Sequence, residues 1–261
     1  DIEQLFKNGF STGHGFLREP NDIRSYSALA CIAIQSNQND QHGGQSIPNF
    51  DYGMAKGVAK TYAKLYKKNL VKALNLLTGL EDADALVAEM SDKIKDEHGL
   101  IPSMSSLDQY RKHEAVLLKD AISDEEIIKK AQDFAAKNAL TETNKDTYQA
   151  MEAFVHNLNT MHSRAGAQIP FSSINYGTDT SPEGRMVIEN VLLATEAGLG
   201  NGETPVFPIH IFRVKEGINF NPGDPNYDLF KLACRVSAKR LFPNFSFQDA
   251  PFNLKYYKPG H

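Results

Sequence analysis

Gln168-Ile169-Pro170-Phe171-Ser172-Ser173-Ile174-Asn175-Tyr176, followed after one glycine by Thr178-Asp179-Thr180-Ser181-Pro182-Glu183-Gly184-Arg185, decides the fold. The first segment is short, apolar and rich in aromatic and β-branched residues, which predicts a buried strand. The second has a hydroxyl cap, proline at the first helical position and an acid in the first turn, so it opens a helix. That helix is expected to stop at Ala197-Gly198-Leu199-Gly200. Val206 to Val214 reads as a second strand, Pro222 to Pro225 as a turn, Asp228 to Leu241 as another helix, and Phe245-Ser246-Phe247 as the start of a third strand. Upstream, Met151, Phe154, Val155, Leu158 and Met161 repeat at helical spacing, which predicts a helix over about 144–164. Helix, strand, helix, strand, helix in this order defines an α/β class with a parallel sheet, open or barrel-shaped.

The first 140 residues are expected to be mostly helical, with residues 141–261 forming the strand-and-helix part. Ile23, Tyr26, Ala30 and Ile34 mark a helix over about 22–38, followed by a polar glycine loop at 39–49. Val58, Tyr62, Leu65, Tyr66, Leu70, Ala73, Leu74 and Leu77 then form one apolar stripe closed by Thr78-Gly79. Ser123-Asp124-Glu125-Glu126 is a capping pattern that starts a helix running to about Asn138.

The 261 residues are 41% hydrophobic and 23% charged, the usage of a folded domain with a sizeable core. A net charge of −4, without a long block of like charge, argues against nucleic acid as a direct partner. No apolar run has the length of a membrane span, and residues 1–20 lack the features of a signal peptide, so a cytoplasmic chain is expected. Cys31 and Cys234 both lie in helical apolar patterns, where core packing is the expected role. The eight histidines have no paired ligand spacing, so no metal is expected in this chain. No Gly-x-Ser-x-Gly elbow supports hydrolysis.

Ligands of parallel α/β folds meet the carboxyl ends of strands, which directs attention to Ser173, Asn175, Thr178, Asp179, Thr180 and Ser181. The hydroxyls there meet a helix N-terminus suited to phosphate, although a well-capped helix has the same pattern. Gly198-Leu199-Gly200-Asn201-Gly202-Glu203-Thr204-Pro205 has three glycines but is no Walker loop, and a helix-ending turn is the simpler reading. Gln41, His42, Gly43, Gly44 and Gln45 form a third candidate, either a ligand-reading loop with amide side chains or a solvated connector.

Four stretches occur in order: Gln41-His42-Gly43-Gly44-Gln45-Ser46-Ile47-Pro48, Ser163-Arg164-Ala165-Gly166-Ala167-Gln168, Pro170-Phe171-Ser172-Ser173-Ile174-Asn175, and Thr195-Glu196-Ala197-Gly198 through Thr204-Pro205. Together they resemble the anaerobic (class III) ribonucleoside-triphosphate reductases, over about 10–55 and again 146–257. The resemblance implies a glycyl-radical enzyme that reduces ribonucleoside triphosphates to deoxyribonucleotides on a ten-stranded barrel of two parallel five-stranded halves. It implies a homodimer that binds nucleoside triphosphates as substrate and as allosteric effector, with an activase carrying an iron–sulfur cluster and using S-adenosylmethionine to make the radical. Cys31 and Cys234 match neither family cysteine, and no radical-glycine motif stands near the end. The chain is therefore expected to be an internal section, about half a barrel, inactive alone, with the thiyl cysteine and the radical glycine outside it. In this reading Ser172, Ser173, Asn175, Thr178, Thr180 and Ser181 line the substrate cavity or cradle phosphate. Gln41, His42, Gly43, Gly44 and Gln45 support the cavity or an effector site, and the helical first 140 residues pack outside the barrel as a dimer or effector region. Two alternatives remain: another glycyl-radical enzyme of the formate-lyase or dehydratase type, and a non-catalytic nucleotide-binding module.

Overall fold

The computed structural model of the chain describes residues 19–40, 43–160, 169 and 171–254. Gln41, His42, the Ser163–Gln168 stretch and Pro170 lie outside the described residues. In chain order the elements are α1 (Ile23–Asp40), β1 (Gln45–Ile47), α2 (Phe50–Thr78), α3 (Ala83–His98), α4 (Leu107–Leu118), α5 (Glu125–Thr160), β2 (Ser172–Tyr176), α6 (Pro182–Ala197), β3 (Ile209–Val214), α7 (Tyr227–Arg240), β4 (Asn244–Phe247) and α8 (Pro251–Leu254).

Among the described residues the strands form one parallel sheet in the order β1-β2-β3-β4. A parallel pair needs a crossover between its strands, and α6 and α7 supply those between β2, β3 and β4. The α/β reading therefore holds. The loop expected at 39–49 is corrected, since Gln45–Ile47 pairs with Ser172–Ile174 as an edge strand. Gly44 makes that approach feasible, because a Cβ there would lie 2.9 Å from the Phe171 ring, while Gln45 N–H donates to Phe171 O at 2.9 Å. Two helices expected around 123–138 and 144–164 are instead the single 36-residue α5. No glycine or proline interrupts residues 139–144, and the local polar groups bond back within the helix: Asn138 Nδ2 donates to Phe134 O at 2.9 Å and Thr141 Oγ1 to Lys137 O at 3.2 Å.

The chain divides into two compact units, residues 1–58 with 146–261, and residues 59–145. The divisions fall inside α2 and α5, and the first unit draws residues from both sides of position 140. In this sheet unit, Ile174, Tyr176, His210, Phe212 and Val214 are buried on one face. Phe212 lies 6.1 Å from Phe230 and 6.0 Å from Phe245, ring centre to ring centre. His210 is buried there and its pKa is pushed down to about 3 by desolvation, so the neutral ring meets Tyr176 Oη at 2.8 Å through Nδ1.

The helical unit is built on the predicted stripe of α2. Tyr62, Tyr66, Leu70 and Leu74 pack with Val87, Met90 and Ile94 of α3, Tyr110 and Leu118 of α4, and Ala131, Ala135 and Ala139 of α5. Leu77, expected in the stripe, is exposed at the end of α2. Inside the cluster sits a carboxylate, Glu114, fully buried, whose Oε1 accepts from Tyr66 Oη at 2.7 Å and from Gln132 Nε2 at 3.1 Å.

Candidate functional site

Side chains of a strand alternate between faces, and register partners in a parallel sheet share one. Ser46, Ser173, Ile209 and then Asn175, Ile211, Asn244 and Arg213, Ser246 therefore line the face opposite the buried one. All of these are half-buried or exposed. The result is a sheet with one helix-covered apolar face and one open face that carries hydroxyls, carboxamides and a guanidinium. Asn175 is half-buried on that face, and its Oδ1 is shut off from solvent without a hydrogen-bond partner. Alternation turns Ser172 to the covered side, where it is fully buried with its hydroxyl unpartnered, away from Ser173 and Asn175.

Immediately past β2 the chain is held on several sides. Gly177 has φ +125°, and a Cβ there would sit 3.0 Å from Arg213 O and 3.1 Å from the Phe212 ring. The carboxylate of Asp51, from the first turn of α2, accepts N–H of Gly177 at 3.0 Å and of Asp179 at 3.1 Å on Oδ2, and that of Tyr52 at 3.0 Å on Oδ1. Asn219 Nδ2 donates to Gly177 O at 3.0 Å, and Asn226 Nδ2 to Gly177 O at 3.1 Å and Asp179 O at 2.8 Å. Arg185 Nη1 in turn fixes Asn226 through Oδ1 at 2.9 Å. Burial pushes Asp51 up to about 6, although the three N–H groups work the other way, and it also raises Asp179.

Thr178 is buried and its Oγ1 accepts from Tyr52 Oη at 3.4 Å, while Thr180 is exposed. Ser181 caps α6: its Oγ accepts Gly184 N–H at 3.1 Å, with Pro182 beside it. Asp179 Oδ1 accepts Ser181 N–H at 2.9 Å. The first-turn donors at Ser181 and Gly184 are thus taken by the protein's own oxygens. Ser181→Ala should lower stability by about 1 kcal/mol, the usual worth of a serine cap, as read from the midpoint of urea unfolding.

Gly198–Pro205 is a helix-ending turn. Gly198 has φ +78°, Leu199 N–H donates to Glu203 O at 2.8 Å, and Arg240 reaches Glu196 O at 2.9 Å, Gly202 O at 2.8 Å and Thr204 Oγ1 at 3.2 Å. Gly43, Gly44 and Gln45 lead into the edge strand β1 beside β2. Cys31 is buried in α1, its thiol pushed up to about 12 by desolvation, and Cys234 is exposed on α7. Among the described residues no group of three or more His, Cys, Asp or Glu could hold a metal ion, and no helix is long and apolar enough to cross a membrane.

Four residues that build this site escape the sequence reading: Asp51, Arg213, Asn219 and Asn226. Arg213 had a signal, a cation at an alternate position of an otherwise apolar strand, and Asp51 another, an isolated acid opening a helix rich in lysine. The two asparagines had none, since loop asparagines are common and the Gly177 and Asp179 carbonyls they hold lie more than 35 residues away.

Sheet, open polar face and clamped post-strand loop define a parallel α/β architecture. The family model for anaerobic ribonucleoside-triphosphate reductase matches residues 1–261, and the chain belongs to that family. Relatives of the same description include that of Enterobacteria phage T4, 28% identical over 94% of this chain, and that of Salmonella typhimurium, 35% identical over 94%. A third, from Escherichia coli, is 39% identical over 41% of the chain. The matches cover 31%, 26% and 15% of those relatives' own lengths, so the chain spans at most about a third of them.

Proposed function

We propose that these residues form part of an anaerobic ribonucleoside-triphosphate reductase and supply one wall of its substrate cavity, about half of a ten-stranded barrel. The family match over the whole chain carries the reading, and the open polar sheet face supports it. A ribonucleoside triphosphate lies over the carboxyl ends of β2 and β3, where Asn175 and Ser173 hydrogen-bond it, Arg213 offsets its negative charge and Thr180 borders the pocket. Thr178 and Ser181 shape the loop. Ile209 and Ile211 keep water from the apolar part of the face.

The reducing radical chemistry belongs to a glycyl radical and thiyl cysteine in sequence other than these residues. Neither Cys31 nor Cys234 suits it, the first deep in helix packing and the second on the outer side of α7. The working enzyme is a cytoplasmic homodimer, is regulated by nucleoside triphosphates, and receives its radical from an activase with an iron–sulfur cluster and S-adenosylmethionine. The residues from Gly43 to Gln45 support the cavity edge through β1.

The test uses sheet parity. In the activated enzyme containing this chain, Asn175→Ala should raise KM for the ribonucleoside triphosphate about tenfold, the worth of one hydrogen bond to a charged or strongly polar ligand. Ser172→Ala, three residues away on the same strand but on its opposite face, should leave KM unchanged. The reverse pattern would sink the reading.

A further inference from the structure

We propose that Asp51 is a positioning residue for the substrate site, holding the loop after β2 in the shape that sets Thr180 beside the open face on which Asn175 of β2 lies. This rests on the functional reading above. Asp51 is 1% exposed and lies 126 residues from Gly177 and 128 from Asp179 in sequence, yet one of its oxygens gathers both their amide protons. Two N–H groups of alternate residues converging on one point form a concave anion-binding turn, and here the anion is an internal side chain. On the other side of the same two residues, Asn219 and Asn226 take the carbonyls. Asp51 and the two asparagines thus hold both the N–H and the C=O of Gly177 and of Asp179, so the path of the chain between them is fixed and Thr180 follows from it. Tyr52, next to Asp51, adds a contact from its hydroxyl to Thr178. A loop held only for stability has no need of a buried charge, which costs desolvation energy. The carboxylate contributes two strong acceptors in a fixed position, which a site needs if its loop must not adapt to each ligand.

Asp51→Asn keeps one oxygen for Gly177 and Asp179 but turns its NH2 against the N–H of Tyr52, so the loop loosens without losing its core. In the activated enzyme this variant should raise KM for the ribonucleoside triphosphate about tenfold and keep kcat within about twofold. A fall in thermal stability with KM unchanged, while Asn175→Ala does raise KM, overturns the positioning role and leaves the substrate site standing. If Asn175→Ala has no effect on KM, the substrate reading itself fails. A second measurement needs no variant. Asp179 from the loop and Tyr176 from β2 are the titratable groups facing Asp51. The amide proton of Gly177, which touches Asp51 and lies two residues from Asp179, should shift with a midpoint near pH 6 in heteronuclear spectra of the chain. A Gly177 amide that stays flat from about pH 4.5 to 7.5 puts the titration of Asp51 outside that range, and the KM comparison then decides the positioning role.

Discussion

Gly184→Ala should destabilise the sheet unit by about 2 kcal/mol, against the sign that helix propensity alone dictates. Gly184 sits in the first turn of α6 without a positive φ, so replacing it by alanine would ordinarily stabilise the helix by about 1 kcal/mol. A Cβ there, however, would lie 2.1 Å from Asp179 Cγ and Oδ2, far inside contact distance. Asp179 has little room to retreat. Its backbone N–H is held by Asp51, its carbonyl by Asn226, and its carboxylate by Ser181 N–H. Overpacking costs about 1–3 kcal/mol when neighbours cannot move, and here the clash also loosens the site loop. Urea unfolding of the variant and the parent reads the difference, and a variant as stable as the parent would mean that the loop is softer than its hydrogen bonds imply.

A second large effect is expected at Glu114 in the helical unit. Burial pushes its carboxyl up to about 7, while Tyr66, Gln132 and the nearby Arg111 charge oppose the rise. The folded state therefore keeps a proton that the unfolded chain, with a value of 4.5, has already given up. The stability contributed is present in full below about pH 4.5 and is lost as pH rises through about 7. The gap between the two values corresponds to about 3 kcal/mol of stability lost by alkaline pH. Both hydrogen bonds to Glu114 land on Oε1, and Oε2 has no partner. Glutamine can therefore keep both bonds without the charge. Glu114→Gln should match the parent at pH 4 and exceed its stability by about 3 kcal/mol at pH 8. Chemical denaturation at the two pH values separates this from Asp51, which titrates equally in both proteins.

Periodicity made much of this architecture legible from the chain. The run from Ser172 to Arg185 shows its strand, turn and capped helix because each uses local chemistry: β-branched and aromatic residues, then a glycine, then serine and proline at the cap. The α2 stripe was equally clear. The strand at Gln45–Ile47 was not, because three polar-flanked residues have too little pattern and are held by pairing with β2 rather than by their own propensity. The break expected near Thr141 failed for the opposite reason: threonine and asparagine side chains bonded back to helix carbonyls, so their usual preference for turns did not end α5. At the site, strand alternation puts Ser173 and Asn175 on one face and Ser172 on the other, a separation that a run of polar residues does not show by itself. The Asp51 contact stayed hidden because an isolated acid opening a helix does not say which backbone groups, 126 residues away, it holds.

Alternation along β3 has an evolutionary corollary. His210, Phe212 and Val214 face the packed side, whereas Ile209, Ile211 and Arg213 face the open one. Neighbouring codons in this short stretch therefore answer to different selective pressures, one set to the durability of the molecule and the interleaved set to whatever occupies its open side.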